Sequence, residues 1–139
     1  MSHTVVFDNE AVQALSSPDH PKHNKVVSHV QVIASRKRKA EQVSIVVPTS
    51  VRVEAGWDRT SRVWAFANRL GIVDVELGAD HANVAAAIRG RIGTHISVVD
   101  AHVGSVIQSC TTDRVSVVTS DPDDMKAVAE TKPVVVVTI

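Results

Sequence analysis

Four carboxylates stand out by position. Asp8 closes the apolar run Thr4-Val5-Val6-Phe7. Glu54 lies about two turns into the helix-like stretch that follows Val43 to Val47. Asp100 follows Ser97-Val98-Val99, and Asp121 sits in Thr119-Ser120-Asp121-Pro122-Asp123-Asp124 after a further valine run. No lysine or arginine is locally placed to neutralise Asp8 or Asp100. Carboxylates gathered without partners repel one another unless cations bind them. Oxygen-only ligands suit Mg²⁺ or Mn²⁺. Arg52 and Arg59, with Arg62, flank Glu54. Beside a metal site, Arg52 and Arg59 would hold phosphates as bidentate donors, or else pair with acids elsewhere.

Each acid also has a plainer reading. Asp8 could simply start a turn. Asp121 could cap a helix, with Pro122 at its first position and Asp124 at its third. Ser97-x-x-Asp100 fits a capping box, and Glu54 fits a solvated helix face. What the plainer readings leave unexplained is that all four acids fall at one end of the same expected sheet. Capping and metal binding can also coexist.

Other chemistries find less support. The histidines include His20-x-x-His23 but no His-Glu-x-x-His and no convincing third ligand. His102, close to Asp100, could assist a site or line a helix edge. The single cysteine, Cys110, excludes an internal disulfide and reads as a small buried hydrophobe. No phosphate-binding glycine loop follows a strand, which disfavours ATP and dinucleotides. Aromatic residues are 3% of the chain, too few for a base-stacking platform, so Trp57, Trp64 and Phe66 read as core or interface residues.

The elements that must position these acids are short Val/Ile runs alternating with helix-like stretches. Strands are expected at Thr4 to Phe7, Val43 to Val47, Ile72 to Val75, Val115 to Thr119 and Val134 to Ile139. Helices are expected at Ala11 to Leu15, Lys22 to Lys39, Val51 to Trp57, Arg62 to Leu70, Asp80 to Arg91, Asp100 to Cys110 and Pro122 to Ala129. Pro48 is expected in the first turn of a helix. The basic run Arg36 to Lys39 suits the negative end of a helix dipole. About one residue in five is valine, as strands buried on both faces require. The pattern predicts one α/β domain over residues 1–139, a parallel sheet with helices on both sides. Val134 to Val137 would invite aggregation if exposed, so that strand is expected to be covered.

Four segments in order carry a family resemblance. They are Val5-Val6-Phe7-Asp8 before a short helix, Val47-Pro48-x-x-Val51-x-Val53-Glu54, Val99-Asp100-Ala101-His102, and Val118-Thr119-Ser120-Asp121-Pro122-x-Asp124. Together they resemble the PilT N-terminal (PIN) domain, most closely the small stand-alone VapC-like toxins of toxin–antitoxin pairs. The resemblance covers nearly the whole chain. It implies a three-layer α/β/α sandwich around a five-stranded parallel sheet in the order 3-2-1-4-5. It implies a metal-dependent endoribonuclease in which Asp8, Glu54, Asp100 and Asp121 are catalytic. Asp8, Asp100, Asp121 and Asp124 would ligate Mg²⁺ or Mn²⁺, and Ser120 in the Thr-Ser-Asp turn would meet substrate. The implied partners are RNA, an antitoxin protein and a second copy of the chain. Where that family usually has Thr or Ser after the first acid, this chain has Asn9-Glu10. Asn9 keeps a side chain able to bond a phosphate. Glu10 either adds charge to the site or points away along its helix.

Two rival readings remain from the residues. One is a non-catalytic RNA- or protein-binding module of the same fold, its acids serving as caps. The other is a receiver-like domain, which needs paired acids after the first strand, where this chain has Asp8 and then Glu10 two residues on. The 15 basic and 15 acidic residues balance, so nucleic-acid binding would need a local patch. With no signal-peptide pattern at Met1 and no apolar run long enough to cross a bilayer, a cytoplasmic address without membrane contact is expected.

Overall fold

A computed structural model describes residues 1–39 and 41–139, without the side chain of Arg38. The Arg36 to Lys39 run is thus only partly within the described residues. Five strands form one sheet: β1 (Ser2–Phe7), β2 (Gln42–Pro48), β3 (Val73–Val75), β4 (Arg114–Thr119) and β5 (Val135–Thr138). Their order is β3-β2-β1-β4-β5, and every neighbouring pair is parallel. In β1, His3 through Phe7 are all buried. Consecutive buried residues in a strand mean that both faces are covered, and the Val-rich composition follows from that.

Helices provide the cover, giving the three-layer α/β/α arrangement. Between β1 and β2 run α1 (Asn9–Ser16) and α2 (His23–Arg38). Between β2 and β3 come α3 (Thr49–Ala55), a 3-10 turn (Arg62–Trp64) and the single-turn α4 (Ala65–Asn68). Next come α5 (Ala79–Ile92) and α6 (Val98–Ser109), and α7 (Pro122–Ala129) joins β4 to β5. A Cβ on Gly104 of α6 would lie 2.8 Å from the Val128 carbonyl oxygen of α7. Glycine is therefore what lets these two helices approach so closely.

The chain leaves β1 toward β2 on one side and β4 toward β5 on the other. Where the order of a parallel sheet reverses in this way, a crevice opens at the strands' carboxyl ends. Asp8 enters it directly from β1, its N–H bonded to the Val118 carbonyl of β4 at 3.1 Å.

Several local expectations are corrected. Pro48 ends β2 in an extended conformation and precedes α3, because a residue without an N–H suits a strand end as well as a helix start. The helix carrying Glu54 stops at Ala55, since Gly56 adopts the left-handed conformation (φ 75°) that terminates helices. Arg62 to Leu70 forms a 3-10 turn and one helical turn rather than one helix. There Asn68 is drawn into side-chain bonds, donating to the Arg59 carbonyl and accepting from Trp57 Nε1, each at 2.8 Å. The helix carrying Asp100 begins at Val98, two residues before the expected start. β5 is an edge strand rather than a covered one, and Val135 is 50% exposed.

Candidate metal centre

Asp8 is nearly buried and precedes α1 in extended backbone. Its Oδ1 accepts the Asn9 N–H at 2.7 Å, and its Oδ2 accepts the Thr119 hydroxyl at 2.8 Å. The same Thr119 oxygen accepts the Asp121 N–H at 2.9 Å. One buried threonine thus ties the end of β1 to the turn after β4. Burial pushes the Asp8 carboxyl above the usual carboxylate range, against the two hydrogen bonds that favour its charged form.

Asp100 is the third residue of α6, and its N–H is capped by Ser97 Oγ at 3.0 Å. Of the expected capping box only the Ser97 half forms among the described residues, with no bond returning from the Ser97 N–H to the Asp100 carboxylate. Desolvation first, then the charges of Asp8, Asp124 and Asp121, push this carboxyl up to about 6. Asp121 precedes α7 without capping it through its side chain. Its carboxyl is raised, chiefly by its closeness to the Asp124 carboxyl.

Oxygens of Asp100, Asp121 and Asp124 all lie within 4.8 Å of one another. Glu54, near the end of α3, is solvent-facing. Its carboxyl is raised by partial burial and by the charge of Asp8. Among the described residues, no Lys, Arg or His lies within ion-pair distance of any of these five acids. A compact group of oxygens, elevated proton affinity and no neutralising cation suits a hard divalent ion.

The remaining expected contacts divide. Ser120 is exposed in the turn beside Asp121. Asn9 sits next to Asp8, though its Oδ1 accepts from Gln13 Nε2 at 3.1 Å. Glu10 pairs with His20, 2.9 Å distant, and its charge still reaches the Asp8 carboxyl. Arg52 and Arg59 are not brought to the carboxylates. Both pair with Asp74 of β3 at 2.8 Å, and Arg59 lies over the Trp57 ring, 4.4 Å from its centroid. The residues alone did not single out Asp74, whose approach depends on β2–β3 pairing.

The histidines form no metal group among the described residues. His23 bonds the Ala14 carbonyl at 2.8 Å. His102 is completely buried rather than lining an edge. Cys110 is half-buried, and burial pushes its thiol up, away from a nucleophile's range. Trp57 and Trp64 are buried and stacked, as expected of core residues.

No protein-family model matches the sequence, and no curated protein matches it. Among solved structures, similarity extends to a chain in the crystal structure of VapBC2 from Rickettsia felis bound to a DNA fragment from their promoter. The two share 10% identity with a TM-score of 0.60, over 97% of this chain and 98% of that one. The backbone courses agree over that span, and the 3-2-1-4-5 parallel order of this chain is the one expected of a PIN domain. The chain has a PIN-like fold. At so low an identity the likeness speaks for the fold, and the chemistry must be argued from the acids. In this PIN-like fold they stand where the strand order reverses.

Proposed function

We propose that the protein is a Mg²⁺- or Mn²⁺-dependent endoribonuclease that hydrolyses RNA phosphodiester bonds. The observation that carries this reading is the unneutralised Asp100–Asp121–Asp124 group, with Asp8 and Glu54 in electrostatic reach, at the sheet's switch point. Asp100, Asp121 and Asp124 would hold the cation, with Asp8 and Glu54 acting directly or through water. When bound, such a cation lowers the pKa of water and stabilises charge on phosphodiester oxygens.

The protein's own residues supply the rest. Asn9 N–H and the Thr119 hydroxyl fix both oxygens of Asp8, so its carboxylate does not rotate away. Glu54, exposed and of raised proton affinity, is suited to take a proton at its carboxylate during attack by water. Exposed Ser120 is available to a phosphate or ribose.

The neighbour's assembly as a VapBC pair supports a toxin role for this chain, with an antitoxin protein as partner. A second copy of the chain is a further partner, implied only by the family resemblance. A cytoplasmic setting goes with the toxin role. No helix among the described residues is long and apolar enough to cross a membrane.

The rival reading, a binding module whose acids only cap helices, draws on the caps at α1 and α6. Melting with and without Mn²⁺ separates the two. A ligand that binds only the folded state adds about 2.7 kcal/mol at a hundred times its Kd. The wild type is expected to gain such stability and Asp100→Asn to gain none. Equal behaviour of the two proteins would favour the cap reading.

A further inference from the structure

Beneath the carboxylates lies a polar junction with no evident part in the fold's apolar core. His102 of α6 is fully buried. Its Nδ1 meets Ser50 Oγ of α3 at 2.7 Å. Among the described residues this is the only side-chain hydrogen bond between α3 and α6. Its Nε2 is buried near the Glu76 carbonyl without a well-formed hydrogen bond. The His81 ring of α5 meets it edge-on, centroids 5.8 Å apart, and His81 Nδ1 bonds Ser105 Oγ of α6 at 3.0 Å. Beside Ser50, the Thr49 hydroxyl accepts the Leu77 N–H at 3.3 Å, drawing in the segment that leads to α5.

An apolar side chain would fill this place without leaving a ring nitrogen unsatisfied, so a buried imidazole calls for a reason. Position supplies one. Ser50 stands four residues, about one helical turn, before Glu54 on α3. His102 stands two residues after Asp100 on α6. The bond thus links the two helices that carry these acids, short α3 to the buried α6. α3 has seven residues and ends at a left-handed glycine. Groups that orient ligating carboxylates from behind tune metal affinity as the ligands themselves do.

We propose that His102 is a positioning residue: through Ser50 it fixes the spacing of Glu54 and Asp100, and with it the affinity of the carboxylate group for a divalent cation. This inference rests on the metal-site reading above. It requires the hydrogen bond, not a charge on the ring.

The test is the Mn²⁺ dissociation constant of the full chain, followed by the EPR signal of the free ion well below the melting midpoint. Ser50→Ala and His102→Leu are expected to weaken binding about tenfold or more, while Ser50→Thr and His102→Asn, which keep a bonding group, stay within about threefold of wild type. Ile33→Val, a core truncation in α2, controls for stability alone and leaves the affinity unchanged. If His102→Leu does not fold, Ser50→Ala decides, because it leaves the imidazole in place. Wild-type affinity in Ser50→Ala overturns the proposal and leaves the metal site standing. Loss of affinity in Ile33→Val also overturns it, as a general stability effect. A wild type that binds no Mn²⁺ removes the metal-site reading and this proposal with it.

Discussion

Asp74 and Asp100 are both partly buried carboxylates on elements of the same sheet sandwich, yet they meet opposite fates. Asp74 is held by two guanidinium groups at 2.8 Å, one of them also stacked on Trp57. Asp100 has three acids around it and no cation among the described residues. Arginines were available in the same stretch of chain as Glu54, and the fold directs them away from the crevice. A structural carboxylate is neutralised in place, whereas the group at the switch point is left electrostatically unsatisfied. That contrast underlies the metal-site proposal, and experiment can test it.

The largest effect is expected from Asp100→Asn or Asp8→Asn in single-turnover RNA cleavage. Loss of several kcal/mol of charge stabilisation predicts a fall of about a thousandfold or more. Wild-type cleavage by either variant would end the comparison, since the unsatisfied acids would then have no catalytic meaning.

Asp74→Ala is expected to do the reverse. It leaves two half-buried guanidinium groups without their anion, and urea unfolding should show a loss of about 1–3 kcal/mol. Its Mn²⁺ affinity should match wild type. An Asp74→Ala protein of full stability but weakened Mn²⁺ binding would mean that the arginine cluster serves the site after all.

A smaller effect concerns pH. The folded-state affinities of Asp8, Glu54, Asp100 and Asp121 for protons are all raised. Such groups favour the folded state when protonated, so their contribution is full below the unfolded pKa of about 4. It is lost as pH rises, through about 6 for Asp100. Buried His102, whose affinity is lowered, acts oppositely below its ordinary value. The difference between wild type and Asp100→Asn isolates the acid. Metal-free wild type should lose stability relative to Asp100→Asn between about pH 4 and about pH 6, and Mn²⁺ should reverse that loss at neutral pH. A flat difference in melting midpoint across that range would mean that neither burial nor the neighbouring acids raise the Asp100 carboxyl.

Much of this was readable in the residues. Five Val-rich runs separated by helical stretches predict five strands of a parallel sheet, and all five are there. Strand ends carrying Asp8 and Asp121, and the cap at Ser97, were equally local, set by turn chemistry within a few residues. Three of the misreadings share a cause. Pro48, Arg62 to Leu70 and Val134 to Val137 each had the right local propensity. Their outcome depended on a neighbour distant in sequence: pairing with Val75 for Pro48, bonds to Trp57 and Arg59 for Asn68, and an edge position for β5.

By itself, then, the sequence determined which segments are strands and helices and which acids lie at strand ends, because backbone preference and hydrophobic period act over a few residues. Only the tertiary structure decided which charges meet. It paired Arg52 and Arg59 with Asp74, turned Glu10 toward His20, joined Asp124 to Asp100 and Asp121, and buried His102 against Ser50. Burial and charge proximity depend on strand order and helix packing, and these bring together residues far apart in the chain.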